Sequence, residues 1–265
     1  MRIFMTAWFI LALFCPCSEA QDLWQEIKGK HFVIFYQAQG DRTTAQKVLR
    51  RAEGFYDKIG SQIGYQRYAK FWTWDERVKI FLFPDANAFV RHTGQPRWSL
   101  GYASQHNRLF KAHTIVTYTQ EKGFIDGLLP HEISHLIMAD FIPDDSHIPL
   151  WFHEGFAQLQ EAGKLRAAKG LMGHLMGQGQ YVKFDFLMDW DIRAEPDPLK
   201  VEIFYAQSLT IVEFLLRKYG QSAFERLFRE LRDGKAFMVA LRRAYSNRID
   251  SLEDLERQWL KYISQ

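Results

Sequence analysis

Residues 131–135 read His-Glu-Ile-Ser-His, and this pentapeptide constrains the fold more than any other feature of the 265-residue chain. Because four residues of α-helix turn through about 400°, His131 and His135 lie about 40° apart and one turn apart along a helix. The remaining residues are apolar, as a buried helix requires: Leu128, Leu129, Ile133, Leu136 and Ile137. Burying two histidines and a glutamate on such a helix costs free energy unless the three side chains have partners. The pattern predicts a helix over 126–140 that binds a metal ion, with Glu132 beside the ligands.

A metal ion held by two histidines needs a third protein ligand. The segment 151–157 (WFHEGFA) supplies one, because an 18-residue gap separates His135 from Glu154 and leaves room for a loop and a return helix. Glu154 is the favoured ligand and His153 its rival. The two residues lie about 100° apart around a helix, so they are not expected to bind the same ion. The alternative for both segments is a solvated polar stripe on an amphipathic helix.

HEISH, the 18-residue gap and WFHEGFA resemble the gluzincin metallopeptidases, specifically the compact peptidase MA-like group. A looser likeness covers most of residues 30–263, including 101–103, 204–208 and 255–259. The resemblance implies a zincin-like fold and one zinc ion bound by the three residues His131, His135 and Glu154.

The resemblance also implies roles in catalysis. Glu132 would be the general base that takes a proton from a water activated by zinc. Tyr205 stands where many relatives have a tyrosine, and it is the candidate hydrogen-bond donor to the oxyanion; a core tyrosine is the other interpretation. Gln158, on the same helix face as Glu154, is a candidate to orient His131. The strand 114–118 is either an edge strand that pairs with extended substrate or a core strand.

The remaining pattern predicts an α+β class, with a small N-terminal α/β layer containing a mixed sheet and a mainly helical C-terminal part. Strands are expected at 31–37, 78–83 and 111–119, with a loop at 95–107. Four glycines indicate a mobile loop at 170–181, and two prolines an irregular connection at 189–200. Helices are expected at about 43–59, 86–92, 126–140, 150–168, 202–218, 221–231, 235–245 and 251–263.

The first twenty residues are typical of a cleavable secretory signal. Arg2 precedes an apolar run over 3–14, which is too short to span a bilayer, and small residues at 18 and 20 fit cleavage before Gln21. An uncleaved membrane anchor and, more weakly, a lipoprotein are the alternatives. Cleavage would also remove the two cysteines of the chain, at positions 15 and 17, so the mature protein could not use disulfides.

The predicted organisation is therefore a signal peptide over 1–20 and one zincin-like domain over 21–265, in which 21–140 is the α/β part and 141–265 the helical part. The protein is expected to be exported, to a periplasm or the medium, without stable membrane insertion after cleavage.

The composition narrows the classes of molecule that the protein is expected to bind. Lys and Arg number 34 and Asp and Glu 31, which gives a net charge of +3 and disfavours nucleic acid. The leading hypothesis is a secreted zinc metallopeptidase that acts on a peptide or protein substrate. The alternatives are a catalytically silent binding module of the same fold and a zinc hydrolase of another amide or ester. The sequence does not indicate the oligomeric state.

Overall fold

The computed structural model describes residues 24–37, 42–67, 72, 76–97, 99–104, 113–119, 123–143, 148–246 and 248–264. The predicted signal peptide at 1–20, with both cysteines, lies outside the described residues. Within the described ranges, no helix combines the length and apolar character that a membrane span requires.

The N-terminal part is built around a mixed sheet of five strands in the order β1-β2-β3-β5-β4. The three inner strands are parallel, and both edge strands, β1 and β4, run antiparallel to their neighbours. The strands are β1 (Trp24–Lys28), β2 (Phe32–Gln37), β3 (Val78–Phe83), β4 (Gly101–Ser104) and β5 (Thr114–Tyr118).

Two helices lie within this part, between the strands, and the chain is mainly helical from residue 128 onward. The helices are α1 (Arg42–Ile63), α2 (Ala86–Thr93), α3 (Leu128–Phe141), α4 (Leu150–Leu159), α5 (Lys164–Met176), α6 (Phe184–Asp189), α7 (Pro198–Tyr219), α8 (Gln221–Arg232), α9 (Phe237–Ala244) and α10 (Leu252–Ile263). This order of a small mixed sheet followed by helices confirms the predicted α+β class.

Alternate residues of the inner strands point to opposite faces of the sheet. On one face Ile34, Ile80 and Ile115 join a core that continues through α1 and α3 into the C-terminal helices. On the other face Phe81 and Val116 join a smaller cluster under α2. Because α3 packs on the first face, its histidines are held against the junction between the sheet and the C-terminal helices.

Several predicted elements are wrong in extent or type. The loop expected at 95–107 contains β4, and β1 was not predicted. The helix expected at 150–168 is two helices, interrupted at 160–163, where Gly163 takes a φ of 81°. The mobile loop expected at 170–181 is largely the second half of α5, which buries Met172 and Leu175. The irregular connection at 189–200 is shorter than expected, because α7 begins at Pro198 with Asp197 as its N-cap.

Candidate metal centre

The structure brings together the three residues that the sequence predicts as ligands. One possible ligand atom from each of His131, His135 and Glu154 lies within 4.8 Å of the other two. The two Nε2 atoms are 2.9 Å apart, and the Glu154 carboxylate oxygens lie 3.7 Å from His131 Nε2 and 3.8 Å from His135 Nε2. Tetrahedral zinc ligands at their usual bond lengths stand about 3.3 Å apart. The donor set and its spacing therefore fit one such ion.

The histidines come from α3 and the carboxylate from α4. Pro130 is the third residue of α3 and so falls in the first turn, where a proline is tolerated. The N-cap is Gly127, and no side chain bonds there. Glu154 of α4 faces the α3 histidines, as the closeness of the three donor atoms shows.

Glu161 orients His131. Its Oε1 lies 2.8 Å from His131 Nδ1, so an Nδ1 proton donates to the carboxylate and the Nε2 lone pair is left facing His135 and Glu154. Burial lowers the pKa of His131, but the bond from Glu161 and the charges of Glu132 and Glu154 outweigh it, and the pKa is raised. The orienting role predicted for Gln158 is wrong, because Glu161 makes this contact.

His153, the rival ligand, packs against His135 instead of joining the three donors. The two imidazole planes are stacked at 10°, with centroids 4.6 Å apart and Nδ1 atoms 2.9 Å apart. Burial, and then the charge of His131, lowers the pKa of His153 to about 4, so it is neutral at pH 7. Burial also lowers the pKa of His135 well below its usual value. A neutral imidazole is the form that binds a metal ion, so His135 needs no proton loss.

Glu132 lies beside the ligand cluster and contacts the sheet. The backbone N–H of Ala103, in β4, donates to its carboxylate. Burial raises the pKa of Glu132, while His131 and the Ala103 bond lower it, and the net direction is upward. The partly buried site thus combines imidazoles with three carboxylates, those of Glu132, Glu154 and Glu161. Their negative charge favours the binding of a cation.

The edge strand beside the site is β4. The strand predicted at 114–118 is β5. Its interpretation as a core strand is confirmed and its interpretation as an edge strand is wrong, because β3 and β4 flank it on both sides. Gly101 lets α3 approach β4, since a Cβ there would lie 2.6 Å from both Leu128 Cδ2 and the Val116 carbonyl oxygen. This close approach keeps Ala103 within reach of Glu132.

Tyr205 extends from α7 toward the same site. Burial, and then the charges of Glu154 and Glu161, raise its pKa to about 12. At that pKa the hydroxyl stays protonated and can donate. Tyr205 also lines a cavity of about 240 Å³ together with Gln158 and Glu202.

Gly155 sets the distance between α4 and α7. A Cβ at this position would lie 2.4 Å from the carbonyl oxygen of Ser208 and 2.9 Å from Val212 Cγ2. Only glycine permits helices to approach this closely, so the glycine that follows Glu154 in the sequence lets α4 pack directly against α7, the helix of Tyr205.

Sequence reasoning missed Glu161 and Ala103. A signal for Glu161 was present: it is a carboxylate close after the α4 motif, and carboxylates are the usual partners of ligating histidines. Ala103 gave no signal, because its contribution is a backbone N–H whose direction depends on the pairing of β4.

A comparison with protein families gives one result. The family model described as the Peptidase MA superfamily matches residues 76–263, a span of more than half the chain that contains every residue of the site. A comparison with curated proteins gave no match.

Proposed function

Because the chain belongs to the Peptidase MA superfamily, we propose that it is an exported zinc metallopeptidase of the gluzincin type that hydrolyses peptide bonds. The observation that carries the proposal is the convergence of His131, His135 and Glu154, whose donor atoms lie within 4.8 Å of one another. Three protein ligands leave a fourth position for water or substrate, which is the arrangement of catalytic zinc rather than structural zinc.

Zinc bound here would supply Lewis acidity, lowering the pKa of water from about 16 to about 7 and polarising the scissile carbonyl. The residues of the chain would hold the ion and transfer the proton. His131 would bind through Nε2, because its Nδ1–H donates a hydrogen bond to Glu161. His135 would bind as a neutral imidazole, and Glu154 would supply the negative charge.

Glu132 is the proposed general base. It follows a ligand histidine directly in the sequence and stands next to the ligand cluster without belonging to it. Burial raises its pKa toward neutrality, which improves a carboxylate as a proton acceptor and later as a donor to the leaving amine. The N–H of Ala103 holds one side of the carboxylate, so the other side remains for the proton.

Tyr205 is the proposed donor to the oxyanion. Its hydroxyl stays protonated because its pKa is raised to about 12, and the charge of Glu154 contributes to that shift. A donor held in place before the reaction stabilises the developing negative charge without reorganisation.

The substrate backbone would lie along β4. Among the described strands β4 lies at an edge of the sheet, with β5 as its neighbour, and an extended peptide would pair along the outer side of β4. The Ala103 contact with Glu132 would put the scissile bond of such a peptide close to the base and the ligand cluster.

Export rests on the N-terminal sequence. A positive residue, an apolar run over 3–14 and small residues before Gln21 support cleavage of 1–20. Residues 21–265 contain no cysteine, so an oxidising compartment would leave this domain unchanged.

The test is metal analysis of the purified 21–265 protein together with digestion of a peptide library. We expect about one zinc per chain and cleavage that a chelator abolishes. The variant Glu132→Gln should keep its zinc and lose cleavage by a factor of about 10² or more, because the proton acceptor is gone. Zinc bound with no cleavage by either protein would instead support a silent binding module and overturn the peptidase.

The choice of third ligand has its own test. Glu154→Gln removes the anionic ligand and should weaken zinc binding more than His153→Ala, which removes only the ring stacked on His135. Competition with a chelator of known affinity measures both. The reverse order would make His153 the ligand and exclude the geometry proposed above.

A further inference from the structure

The cavity that Tyr205 lines begins one helical turn from the proposed zinc ligand Glu154. Gln158, which also lines it, follows Glu154 by four residues on α4, so the two side chains lie on the same face of that helix, about 6 Å apart along its axis. The other lining residues come from α5 and α7, and the volume is about 240 Å³. A space beside both a proposed ligand and the proposed oxyanion donor can take a substrate side chain adjacent to the bond that is cut.

Gln158 presents an unpaired carboxamide to this cavity. Its side chain is 7% exposed, and it forms no hydrogen bond with any residue that the structure describes. Its two amide atoms are not among the fully enclosed, unpartnered polar atoms of the described residues, so the carboxamide is open to the cavity. A polar group this buried is usually hydrogen-bonded, because leaving it unpaired costs free energy. A ligand that offers both a donor and an acceptor would satisfy the amide.

Small apolar side chains make room for a ligand beside Gln158. Four lining residues are apolar: Ala167, Ala168, Leu171 and Ala206. Since liquid water takes up about 30 Å³ per molecule, the volume of about 240 Å³ equals that of about eight waters and admits one side chain of medium length. Polar groups that are few and surrounded by apolar walls fix the orientation of a ligand, because its polar end can bond at few places.

Two side chains of opposite charge complete the lining, those of Lys164 and Glu202. Both residues are exposed, so they lie where the cavity opens to solvent, and Lys164 Nζ is also 3.7 Å from a carboxylate oxygen of Glu161. A substrate side chain of either charge would meet one like charge at this opening. An uncharged carboxamide can accept a hydrogen bond from an ammonium group and donate one to a carboxylate, so the lining favours a neutral polar side chain.

We propose that this cavity binds an uncharged amide side chain of the substrate, glutamine or asparagine, and that Gln158 is the residue that selects it. The inference rests on the proposed peptidase function. Two carboxamides can form a pair of hydrogen bonds, in which each donates an N–H to the oxygen of the other. A site that hydrogen-bonds its ligand rejects an analogue without the polar group, since the buried amide of the site is then left unpaired. Methionine, which is nearly as long as glutamine, should therefore be a much poorer occupant.

The test compares three short alanine-based peptides that differ in one central residue, which is glutamine, methionine or glutamate. The zinc-loaded 21–265 protein should cleave the glutamine peptide next to that residue, with a kcat/KM higher by about tenfold or more than those of the other two. Gln158→Met keeps the length of the side chain and removes the amide, so the preference for glutamine over methionine should disappear or reverse. Gln46→Met, at an exposed position of α1, is the matched control and should keep the wild-type preference.

A binding measurement separates this proposal from the proposed peptidase function. Calorimetric titration of the zinc-loaded Glu132→Gln protein, which should not cleave, measures its affinity for the same peptides. The glutamine peptide should bind more tightly than the other two by about tenfold or more, and adding Gln158→Met should remove the difference. If the wild-type protein cleaves none of the peptides while this binding preference is present, the peptidase function fails and the site for an amide side chain stands.

Three results would overturn the proposal. They are equal kcat/KM for the glutamine and methionine peptides, equal affinity for them, and a glutamine preference that survives in Gln158→Met. Thermal unfolding verifies that each variant is folded.

Ala167→Leu provides a second variant that does not alter Gln158. Ala167 is exposed and lines the cavity, so a longer side chain there would occupy the space. The variant should lower kcat/KM for the glutamine peptide, relative to that for an all-alanine peptide, by about tenfold or more, because alanine does not fill the cavity. Binding to Glu132→Gln should show the same relative loss when Ala167→Leu is added. An equal effect on both peptides would also contradict the proposal.

Discussion

A single hydrogen bond from Glu161 decides which nitrogen of His131 faces the other donors. With Nδ1 donating to Glu161 at 2.8 Å, Nε2 is free to bind a cation. The negative charge of Glu161 also makes the imidazole a better donor to a metal. Outer carboxylates of this kind commonly contribute a factor of 10–100 in metal affinity.

We therefore expect Glu161→Gln to weaken zinc binding by about 10–100-fold, because a neutral amide accepts the hydrogen bond from Nδ1–H more weakly than a carboxylate does. Chelator competition measures the change. Glu202→Gln is the control, since Glu202 lies on the exposed side of the cavity beside Tyr205 and makes no described contact with His131. Equal zinc affinity of Glu161→Gln and wild type would mean that Glu161 does not act through His131.

Tyr205→Phe should lower kcat by about 10²–10³ while KM and zinc content change little, because a donor to the oxyanion acts mainly in the transition state. Steady-state kinetics on the best peptide from the library measures both constants. Tyr181→Phe, at the distant contact of Tyr181 with Glu256, is the matched control. A Tyr205→Phe enzyme with unchanged kcat would leave Tyr205 as a core tyrosine.

At the residue scale, the ligand cluster could be predicted because it depends on spacing. Two histidines four apart on a helix must share a face, and an 18-residue gap is enough for a return helix. The partner of His131 could not be predicted in the same way. Gln158 was chosen because it lies on the same helix face as Glu154. The turn that follows the end of α4 at Leu159 instead brings Glu161 to the histidine, and helical spacing does not predict the course of a turn.

At the scale of elements, the contact between α4 and α7 holds the site together. Gly155 lies where the backbones are closest, with no room for a Cβ beside the carbonyl of Ser208. The helices carry Glu154 and Tyr205, so any increase in their separation moves a proposed ligand away from a proposed donor.

Gly155→Ala should destabilise the protein by about 1–3 kcal/mol, because the backbone must shift to admit the methyl group. It should also weaken zinc binding. Chemical denaturation and chelator competition measure the two effects. Gly170→Ala in α5 is the matched control: a Cβ there meets nothing within 4 Å, so this change should be neutral or stabilise by up to about 1 kcal/mol. Equal stability of the two variants would contradict close packing at Gly155.

The helices and strands that could not be predicted from the sequence are those whose secondary structure depends on contacts with other elements. β4 (GYAS) contains no β-branched residue and exists because it pairs with β5. The second half of α5 was predicted as a loop because glycines usually interrupt helices. Its Ala168, Met172 and Leu175 nevertheless form an apolar face that packs in the core, and Gly170 and Gly173 lie where no atom crowds them. Tertiary packing here outweighs intrinsic propensity.

At the scale of the whole molecule, the proposed zinc ligands join the two parts of the chain. The larger core cluster runs without interruption from the sheet through α3 and α4 to α10, so both ligand helices belong to one packed core. Residues 21–265 lack cysteine, and no disulfide can reinforce that core. A bound ion would add a cross-link between α3 and α4 to the packing of that core.

Removing zinc should therefore lower the melting temperature. A ligand that binds only the folded state adds about 4 kcal/mol when its concentration is 1,000 times Kd, and each kcal/mol shifts Tm by about 2–4 °C in a chain of this size. We expect a chelator to lower Tm by about 8–16 °C under such conditions, as measured by calorimetry. The His131→Ala/His135→Ala protein, which cannot hold the ion, should melt at the same temperature with and without chelator. If the wild-type Tm stays unchanged while metal analysis shows that the zinc is gone, the ion contributes to chemistry alone, and the apolar core by itself accounts for the stability of the fold.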